Sequence, residues 1–586
     1  MTLTRPLYNS DDLLSSLHPS LSVSNLQENS LEKLQITTEE SIANSENTAK
    51  VKKIKKNPLS EEDSLNISSF LKLSLPKDDV SENLLLITNT QNKRQEKISA
   101  TLQRTVVPVG NKEFTGNTYI DGILWGGDYW NPGTSSTTTI ITYSFWNAGT
   151  ESFDDAFQNI TTQAFNWSSA ERTSMINALN TWAAVANIQF VDAGDNQESA
   201  TLGFYNVNSS QFDALGMFGP PGTNGGGIGY FNWQGQGWDT NNVMPGGNYG
   251  FITLIHELGH GLGLAHPHDN GGGSSIYPGV TSPFGSLGDF GLNQGIYTTM
   301  SYNDGLASSG FDPGTVAYGY QGTPMAFDIA AIQYLYGANT TSNSGNNTYF
   351  LPTVNQAGTM YSSLWDTGGI DKISANGATS AVTINLNDAT LNIADGAGAG
   401  GYLSSINGIF GGFTIANGVR IENADGGNFN DTITGNEFNN SLNGFSGNDI
   451  LQGGSGNDSL TGGVGNDFAV YVGTFSQYQV TGSNGVYTIT DLLSNRDGID
   501  SLFDIENLTF SDLTILITDA VNPTTTNLAI APTNANQTEG NSGTKAFTFT
   551  VTRSGTTTGA NNVNWAVTGS GTNPASATDF AGGVLP

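Results

Sequence analysis

The succession of apolar and polar positions divides the chain into stretches of different texture. Tyr119–Trp125 and Thr139–Phe145 are rich in aromatic and β-branched residues and predict strands. Ser168–Trp182 predicts a helix, because Ser168 stands at a cap position with Glu171 three residues on. Ile188–Val191 and Ala200–Val207 predict two more strands. Asn248–Ala265 predicts a helix broken by glycine at Gly263, and Pro324–Tyr336 a helix with proline at its start. Beyond Tyr349 the helical signal fades. From Gly426 a nine-residue period takes over, with units beginning at 426, 435, 444, 453 and 462. Past the segment Asn522-Pro523-Thr524-Thr525-Thr526, the stretches Lys545–Arg553 and Asn562–Thr568 alternate like strands of a sandwich. With about 60 residues against the roughly 100 of an immunoglobulin-sized sandwich, this last domain is expected to be truncated.

Residues 1–113 have another character. They are rich in Ser, Asn, Glu and Lys, contain no glycine before Gly110, and carry the basic run Lys50-Val51-Lys52-Lys53-Ile54-Lys55-Lys56. Their composition fits a disordered tail or linker, and equally a removable pro-segment. Residues 1–112 hold 14 basic and 14 acidic side chains, so the remaining 38 acidic and 6 basic residues account for the net charge of −32. Such a surface repels nucleic acid and suits hard, oxygen-seeking cations. The 74 glycines point to many tight turns. There is no cysteine, which excludes disulfides and thiolate metal sites, so any zinc must rest on histidine and carboxylate. No apolar run reaches 18 residues, hence no membrane span is expected. Met1–Leu31 lacks the apolar core of a secretory signal, so the protein either stays inside or leaves by a route that reads no N-terminal signal.

Four of the five histidines fall between positions 256 and 268. In His256-Glu257-Leu258-Gly259-His260-Gly261-Leu262-Gly263-Leu264-Ala265-His266, the first two histidines are four apart and share a helix face. Glu257 sits on the same turn, placed to take a proton from metal-bound water without being a ligand. Gly263 can adopt a left-handed conformation, end the helix and turn the chain so that His266 reaches the same ion. Three neutral ligands leave zinc an open position for water, whose pKa falls to about 7 in such sites. The extended spacing HExxHxxGxxH makes a helix with incidental histidines a poor account. His268 lies just past the third ligand and is expected to be a solvated loop residue.

This motif, followed by Tyr297-Thr298-Thr299-Met300-Ser301-Tyr302, resembles the metzincin metalloproteases, and within them the serralysins. The resemblance implies that Met300 forms a base beneath the zinc. It also implies that Tyr302 is a removable zinc ligand that swings away to stabilise the developing oxyanion. Pro267-His268 departs from the Pro-Gly usual in that family. Ala200–Val207 resembles the family's edge strand, to which a peptide substrate would add by main-chain hydrogen bonds, with broad specificity.

The five repeats, Gly426–Thr434, Gly435–Asn443, Gly444–Gln452, Gly453–Thr461 and Gly462–Val470, approximate GGxGxDxUx, the unit of calcium-binding parallel β-rolls. Glycines let the turns curl with carbonyls inward, the aspartate supplies charge, and the apolar eighth residue fills the roll. Each ion is expected between a turn and the one two repeats later. Asp431, Asp449, Asp458 and Asp467 keep the sixth-position carboxylate, whereas Asn440 replaces one and predicts a weaker site. By resemblance to the segment leading into the serralysin roll, Asp366 and Asp371 are further calcium candidates. Tyr487–Phe510, with Asp497-Gly498-Ile499-Asp500, resembles the strand-rich segment that follows such repeats, and Glu539 and Asp579 match acidic positions of a Calx-beta module.

The expected architecture is therefore an α+β zincin-like protease domain, a parallel β-roll and a truncated β-sandwich. The divisions are 1–113, 114–338, 339–520 and 527–586. The expected function is that of a secreted, calcium-stabilised zinc endopeptidase, a monomer acting on proteins or peptides and exported by a type I route. The rival reading is a calcium-dependent surface or adhesion protein with an inactive protease-like domain. Intact His256, Glu257, His260 and His266 speak against it.

Overall fold

Ser168 opens the first long helix as its sequence predicts. Its hydroxyl accepts the backbone N–H of Glu171, and the Glu171 carboxylate accepts that of Ser168, a reciprocal capping box. In this computed structural model the described residues are 108–131, 138–148, 161–208, 214–310 and 312–521. Beyond them only short strands at 34–35, 55–56, 152–154, 526–534 and 548–555 are described. The pro-segment reading of residues 1–107, the strand expected at Asn562–Thr568, and Glu539 and Asp579 lie outside these residues. The chain divides into two compact units, 1–421 and 422–586, so residues 339–421 group with the histidine motif.

The first unit is built on a five-stranded sheet: β1 (Thr139–Trp146), β2 (Ile188–Asp192), β3 (Leu202–Val207), β4 (Gly216–Phe218) and β5 (Ile228–Asn232). The order is β4-β5-β3-β1-β2, with β5, β3, β1 and β2 parallel and β4 antiparallel to β5. Three helices accompany it: α1 (Ser169–Val185), α2 (Tyr249–Leu262) and α3 (Ala326–Tyr336). Trp182 of α1 is fully buried and donates its indole N–H to the Ile255 carbonyl of α2. Pro324 precedes α3 by two residues rather than opening it, and Met325 occupies the cap. Outside the sheet, Thr348–Phe350 pairs in parallel with Lys372–Ser374, and Tyr361–Leu364 with Gly412–Ile415.

Two strand expectations are corrected. Tyr119–Trp125 begins as a one-turn helix, Thr118–Asp121, because the Asn117 side chain accepts the N–H groups of Tyr119 and Ile120. That local cap outweighs the β-propensity of the aromatic residues. The segment expected as an edge strand is β3, an interior strand buried along its whole length. Burial of all six residues, Asn206 included, is the mark of a strand covered on both faces. The two edge positions belong to β4 and β2.

The second unit contains two facing runs of strands. One has the order β6 (Asn423–Asp425), β8 (Ser441–Ser446), β10 (Ser459–Val464), β14 (Ile499–Phe503), β13 (Val486–Asp491), β12 (Tyr478–Ser483). The other has the order β7 (Thr432–Thr434), β9 (Ile450–Gln452), β11 (Phe468–Val470), β15 (Asn507–Thr509), β16 (Thr514–Leu516). Within the repeats the pairing is parallel at a fixed offset, Leu442 with Leu460 and Ile433 with Leu451. Ile433, Leu442, Leu451, Leu460 and Ala469, the eighth residues of the five units, are completely buried. They fill the roll.

Candidate functional site

Helix α2 carries the site because its ends are fixed. Asn248 caps its start by accepting the Phe251 N–H. Gly263 ends it at φ 110°, and a β-carbon there would also stand 2.3 Å from the Asp128 carbonyl, so conformation and space both require glycine. The last carbonyls are taken up by buried donors: Trp130 Nε1 bonds to Gly261 at 2.7 Å and the Tyr336 hydroxyl to Leu262 at 2.8 Å. The chain then reverses and brings His266 back to the helix face that bears His256 and His260.

The three Nε2 atoms converge, with separations of 3.1 Å (His256–His260), 2.9 Å (His260–His266) and 3.3 Å (His256–His266). Each Nδ1 faces an oxygen that can only accept. The partners are the Thr299 carbonyl at 2.8 Å, the Leu264 carbonyl at 2.9 Å and the Asp269 carboxylate at 2.9 Å. The proton of each neutral ring is therefore held on Nδ1, and three Nε2 lone pairs point at one another. Such a cluster is electrostatically unfavourable unless a cation sits among the lone pairs, so the donor set fits zinc. Burial works to raise the Asp269 carboxyl, but the hydrogen bond from His266 and a backbone N–H from Gly271 hold it below the usual value.

Met300 lies under the helix, completely buried, where the missing side chain of Gly259 makes room. A β-carbon at Gly259 would come within 2.7 Å of the Met300 sulfur. The turn holding Met300 is braced by Asp328 at the start of α3. Its carboxylate accepts the Thr298 hydroxyl and the Thr299 N–H, both at 2.6 Å, and the Met325 N–H at 2.8 Å. Burial pushes the Asp328 carboxyl up, against the pull of these bonds. Since the Thr299 carbonyl holds His256, Asp328 is connected to the histidine cluster through one short turn. Sequence reasoning passed over Asp328 and Asp269. The available signals were an acid at the third position of a helix and an acid three residues past His266.

Glu257 is buried beside an edge strand: a β-carbon at Gly216 of β4 would stand 2.5 Å from its Cγ. Tyr302 is buried with its ring 5.7 Å from that of His256 and 4.8 Å from that of His266. His268 is not a solvated loop residue. It is buried, stacked on His266 at 4.7 Å and against Tyr302 at 4.4 Å, because the loop after Pro267 folds inward over the cluster.

Asp449, Asp458 and Asp467 are buried, and the Oδ2 of each lacks a hydrogen-bond partner. Their Oδ1 atoms accept the N–H of the residue 18 positions earlier, at 2.8 Å in all three turns. At Gly426 and Gly444 an added β-carbon would meet both the aspartate Oδ2 of its own turn and the carbonyl of the turn 18 residues on. The Asp431 Oδ2 accepts the Gly427 N–H. These oxygen-lined cradles fit a hard cation. Asn440 differs: its amide donates to the Glu422 carbonyl at 3.1 Å and to Asn436 at 3.0 Å, so this turn closes on itself. In the first unit, Asp366 accepts the Tyr349 hydroxyl and Asp371 the Asn347 N–H. A β-carbon on Gly369 would meet the Gly345 carbonyl and Asp371 Oδ1 together.

Comparison with known proteins matches both regions. Residues 138–281 match the matrixin family of M10 peptidases, and residues 425–460 and 443–469 match the RTX calcium-binding nonapeptide repeat. Metallopeptidase AprA of Pseudomonas marginalis is 35% identical over 273 residues, covering 44% of this chain and 52% of that protein. A serralysin of Photorhabdus laumondii is 34% identical over 280 residues, covering 46% and 53%. The chain is serralysin-like. Metalloprotease AprA of Pseudomonas entomophila extends the likeness to 339 residues at 31% identity, 55% of this chain and 64% of the relative. The chain thus spans about half the length of the first of these serralysin-type relatives. Among solved structures, an extracellular lipase from Serratia marcescens, at 20% identity over 17% of this chain and 18% of that one, has a TM-score of 0.15 and bears on no part of the fold. The matrixin match implies zinc and the repeat match implies calcium.

Proposed function

We propose that this chain is a secreted, calcium-stabilised zinc endopeptidase in which His256, His260 and His266 hold the metal and Glu257 is the general base. One observation carries the reading: three buried Nε2 atoms within 3.3 Å of one another, each ring fixed by an acceptor at its Nδ1. Zinc in that position supplies Lewis acidity, polarising the scissile carbonyl and acidifying a water molecule. Glu257 takes the proton of the attacking water and delivers it to the leaving amine. Its burial beside the histidines suits it to that exchange. Tyr302 donates its phenol to the oxygen that gains charge in the transition state. Met300 sets the floor of the site, and Asp328 holds the turn from which Met300 and the Thr299 carbonyl project.

A peptide substrate adds to β4, an end strand of the sheet, rather than to β3. The close approach of Gly216 to Glu257 supports this reading, since a peptide backbone added to that strand would lie at the level of the carboxylate. Recognition through main-chain bonds predicts broad sequence tolerance. The roll binds calcium at Asp431, Asp449, Asp458 and Asp467, with Asp366 and Asp371 binding it in the first unit, and folds where calcium is plentiful. That suits export by a type I route, with residues 1–113 acting as a pro-segment and 527–586 as part of a Calx-beta sandwich. No helix among the described residues is long and apolar enough to cross a membrane.

The reading is tested by hydrolysis of casein in calcium. Activity abolished by stripping zinc and restored by zinc alone supports it. An inactive full chain that binds zinc, both before and after removal of residues 1–113, contradicts it.

A further inference from the structure

The nonapeptide signature stops at about residue 470, yet the ladder of turns does not. Between β11 and β14 the chain makes a detour through the antiparallel pair β12–β13, then rejoins the stack. It rejoins in register: Ser459, Leu460 and Thr461 pair in parallel with Ser501, Leu502 and Phe503, and Phe468, Ala469 and Val470 with Asn507, Leu508 and Thr509. Leu502 and Leu508 stand opposite Leu460 and Ala469 and are completely buried, as the eighth residues of the repeats are. Counting back two residues places Asp500 and Glu506 opposite the sixth-position carboxylates Asp458 and Asp467.

Their bonds repeat those of the nonapeptides. The Asp458 N–H goes to Asp500 Oδ1 at 2.9 Å and the Asp467 N–H to Glu506 Oε2 at 2.8 Å, as the Asp449 N–H goes to Asp467 Oδ1. Ile499 N–H bonds to Asn457 Oδ1 at 2.9 Å, just as Asn466 bonds to Asn448 and Asn457 to Asn439 one turn earlier. Gly498 presses its missing side chain on the Gly456 carbonyl, the relation Gly465 has to Gly447 and Gly456 to Phe438. Gly498-Ile499-Asp500 thus stands in the fourth, fifth and sixth places of a turn. At Gly462, an added β-carbon would meet Asp467 Oδ2 and the Asp504 carbonyl, the cradle of Gly426 and Gly444 rebuilt with a residue outside the repeats. Asp504 adopts φ 49° to present that carbonyl.

Carboxylate density alone would be weak grounds for a ligand. The second observation is that Asp458 and Asp467, 2% and 0% exposed, keep an Oδ2 without a hydrogen-bond partner. The contrast with Asn440 is instructive, since a turn with an amide at this place satisfies itself. Around Asp458 the Tyr471 hydroxyl stands among Asp500, Asp497 and Asp458. Burial raises it first, and the charge and hydrogen bond of Asp500 and the charges of the other two add to the rise, so the neighbour it gives Asp500 is a neutral phenol. Asp497 is already engaged, accepting the Tyr478 hydroxyl and lying 3.8 Å from Arg496. Asp458 and Asp500 are left to share a counter-charge, and nothing cationic in the described side chains bonds to either.

We propose that the calcium ladder runs two turns beyond the nonapeptides, with Asp500 closing a site against Asp458, and Glu506 with the Asp504 carbonyl closing another against Asp467. This rests on the reading of the repeats as calcium sites and extends it to carboxylates that the repeat pattern does not include. Functionally, these ions would tie the segment after the detour to the roll, so that calcium fastens residues 499–509 as well as the repeats.

The test counts bound calcium on the full chain by equilibrium dialysis, and follows terbium luminescence excited through tyrosine. Compared are wild type, Asp500→Asn with Glu506→Gln, Asp449→Asn and Tyr471→Phe. The amide variants retain an oxygen to accept the Asp458 and Asp467 N–H groups, so the fold has what it needs. The expected result is two ions fewer in the Asp500/Glu506 double variant with the calcium bound by earlier turns retained. Tyr471→Phe should lose most of the sensitised emission at the Asp500 site while binding the same number of ions. An unchanged ion count in the double variant, with Asp449→Asn losing calcium, overturns this inference and leaves the repeat reading standing: Asp458 and Asp500 would then be a carboxyl pair sharing a proton. Wild type that binds no calcium overturns both.

Discussion

At the level of single residues, the candidate site depends on side chains that brace the histidine cluster from behind. Asp328 collects two backbone N–H groups and a hydroxyl in a fully buried place and passes that order to His256 through the Thr299 carbonyl. Replacing it by alanine leaves all three donors buried without an acceptor. With each such loss costing about 1–3 kcal/mol, Asp328→Ala is expected to destabilise the first unit by about 3 kcal/mol and to weaken zinc binding. Thermal unfolding and zinc titration of the variant check both effects, and an unchanged melt would show that the turn is held by other means. Gly259 is a second such residue. Its alanine variant pushes a methyl group toward the Met300 sulfur, an overpacking expected to cost about 1–3 kcal/mol.

At the level of elements, α2 and its exit turn do most of the positioning. Gly263→Ala forces a left-handed conformation on a residue with a side chain and drives that side chain at the Asp128 carbonyl. A stability loss of at least about 1 kcal/mol is expected from the conformation alone, with a displaced His266 and lower zinc affinity as the specific sign. Zinc affinity equal to wild type would contradict the role given to this turn. This element was legible in sequence because its information is local: an Asn cap, histidines four apart, a glycine at the stop. The capping box of α1 was legible for the same reason. What escaped was set by tertiary partners. Whether Leu202–Val207 or Gly216–Phe218 forms the sheet edge depends on strand order, which no local pattern carries. Tyr119 entered a helical turn because Asn117 captured its backbone. His268 looked like a loop residue because its burial comes from Tyr302 and His266, one of them 34 residues away. In the roll the nine-residue period announced five turns, and the next two were hidden by the inserted hairpin that breaks the count.

At the level of the whole molecule, the acidic balance and the carboxylates proposed to hold calcium are one property seen twice. Without cations, burial pushes Asp449 up to about 6, Asp458 to about 7 and Asp500 to about 8, with neighbouring carboxylates adding to the rise. An unfolded aspartate titrates near 3.9, so each of these groups binds its proton more tightly in the folded state. Stability of the calcium-free second unit is then greatest at low pH and falls as pH rises from about 4 to about 8, where the folded carboxylates must ionise unpaired. Thermal unfolding of the full chain in chelator is expected to show a higher midpoint for this unit at pH 5.5 than at pH 8, and calcium should erase most of the difference. A pH-independent midpoint in chelator would contradict the idea that these carboxylates await a cation. The same logic agrees with the export proposed above, since calcium would supply the missing charge wherever it is plentiful.

The central claim is that Glu257 performs the proton transfers of peptide hydrolysis beside a zinc held by three histidines. The most direct measurement is casein hydrolysis in calcium by wild type and Glu257→Gln, with zinc content determined on the same samples. The account predicts equal zinc in both and a loss of activity in the variant of about 10²-fold or more. A variant that binds zinc and cleaves at the wild-type rate would contradict it.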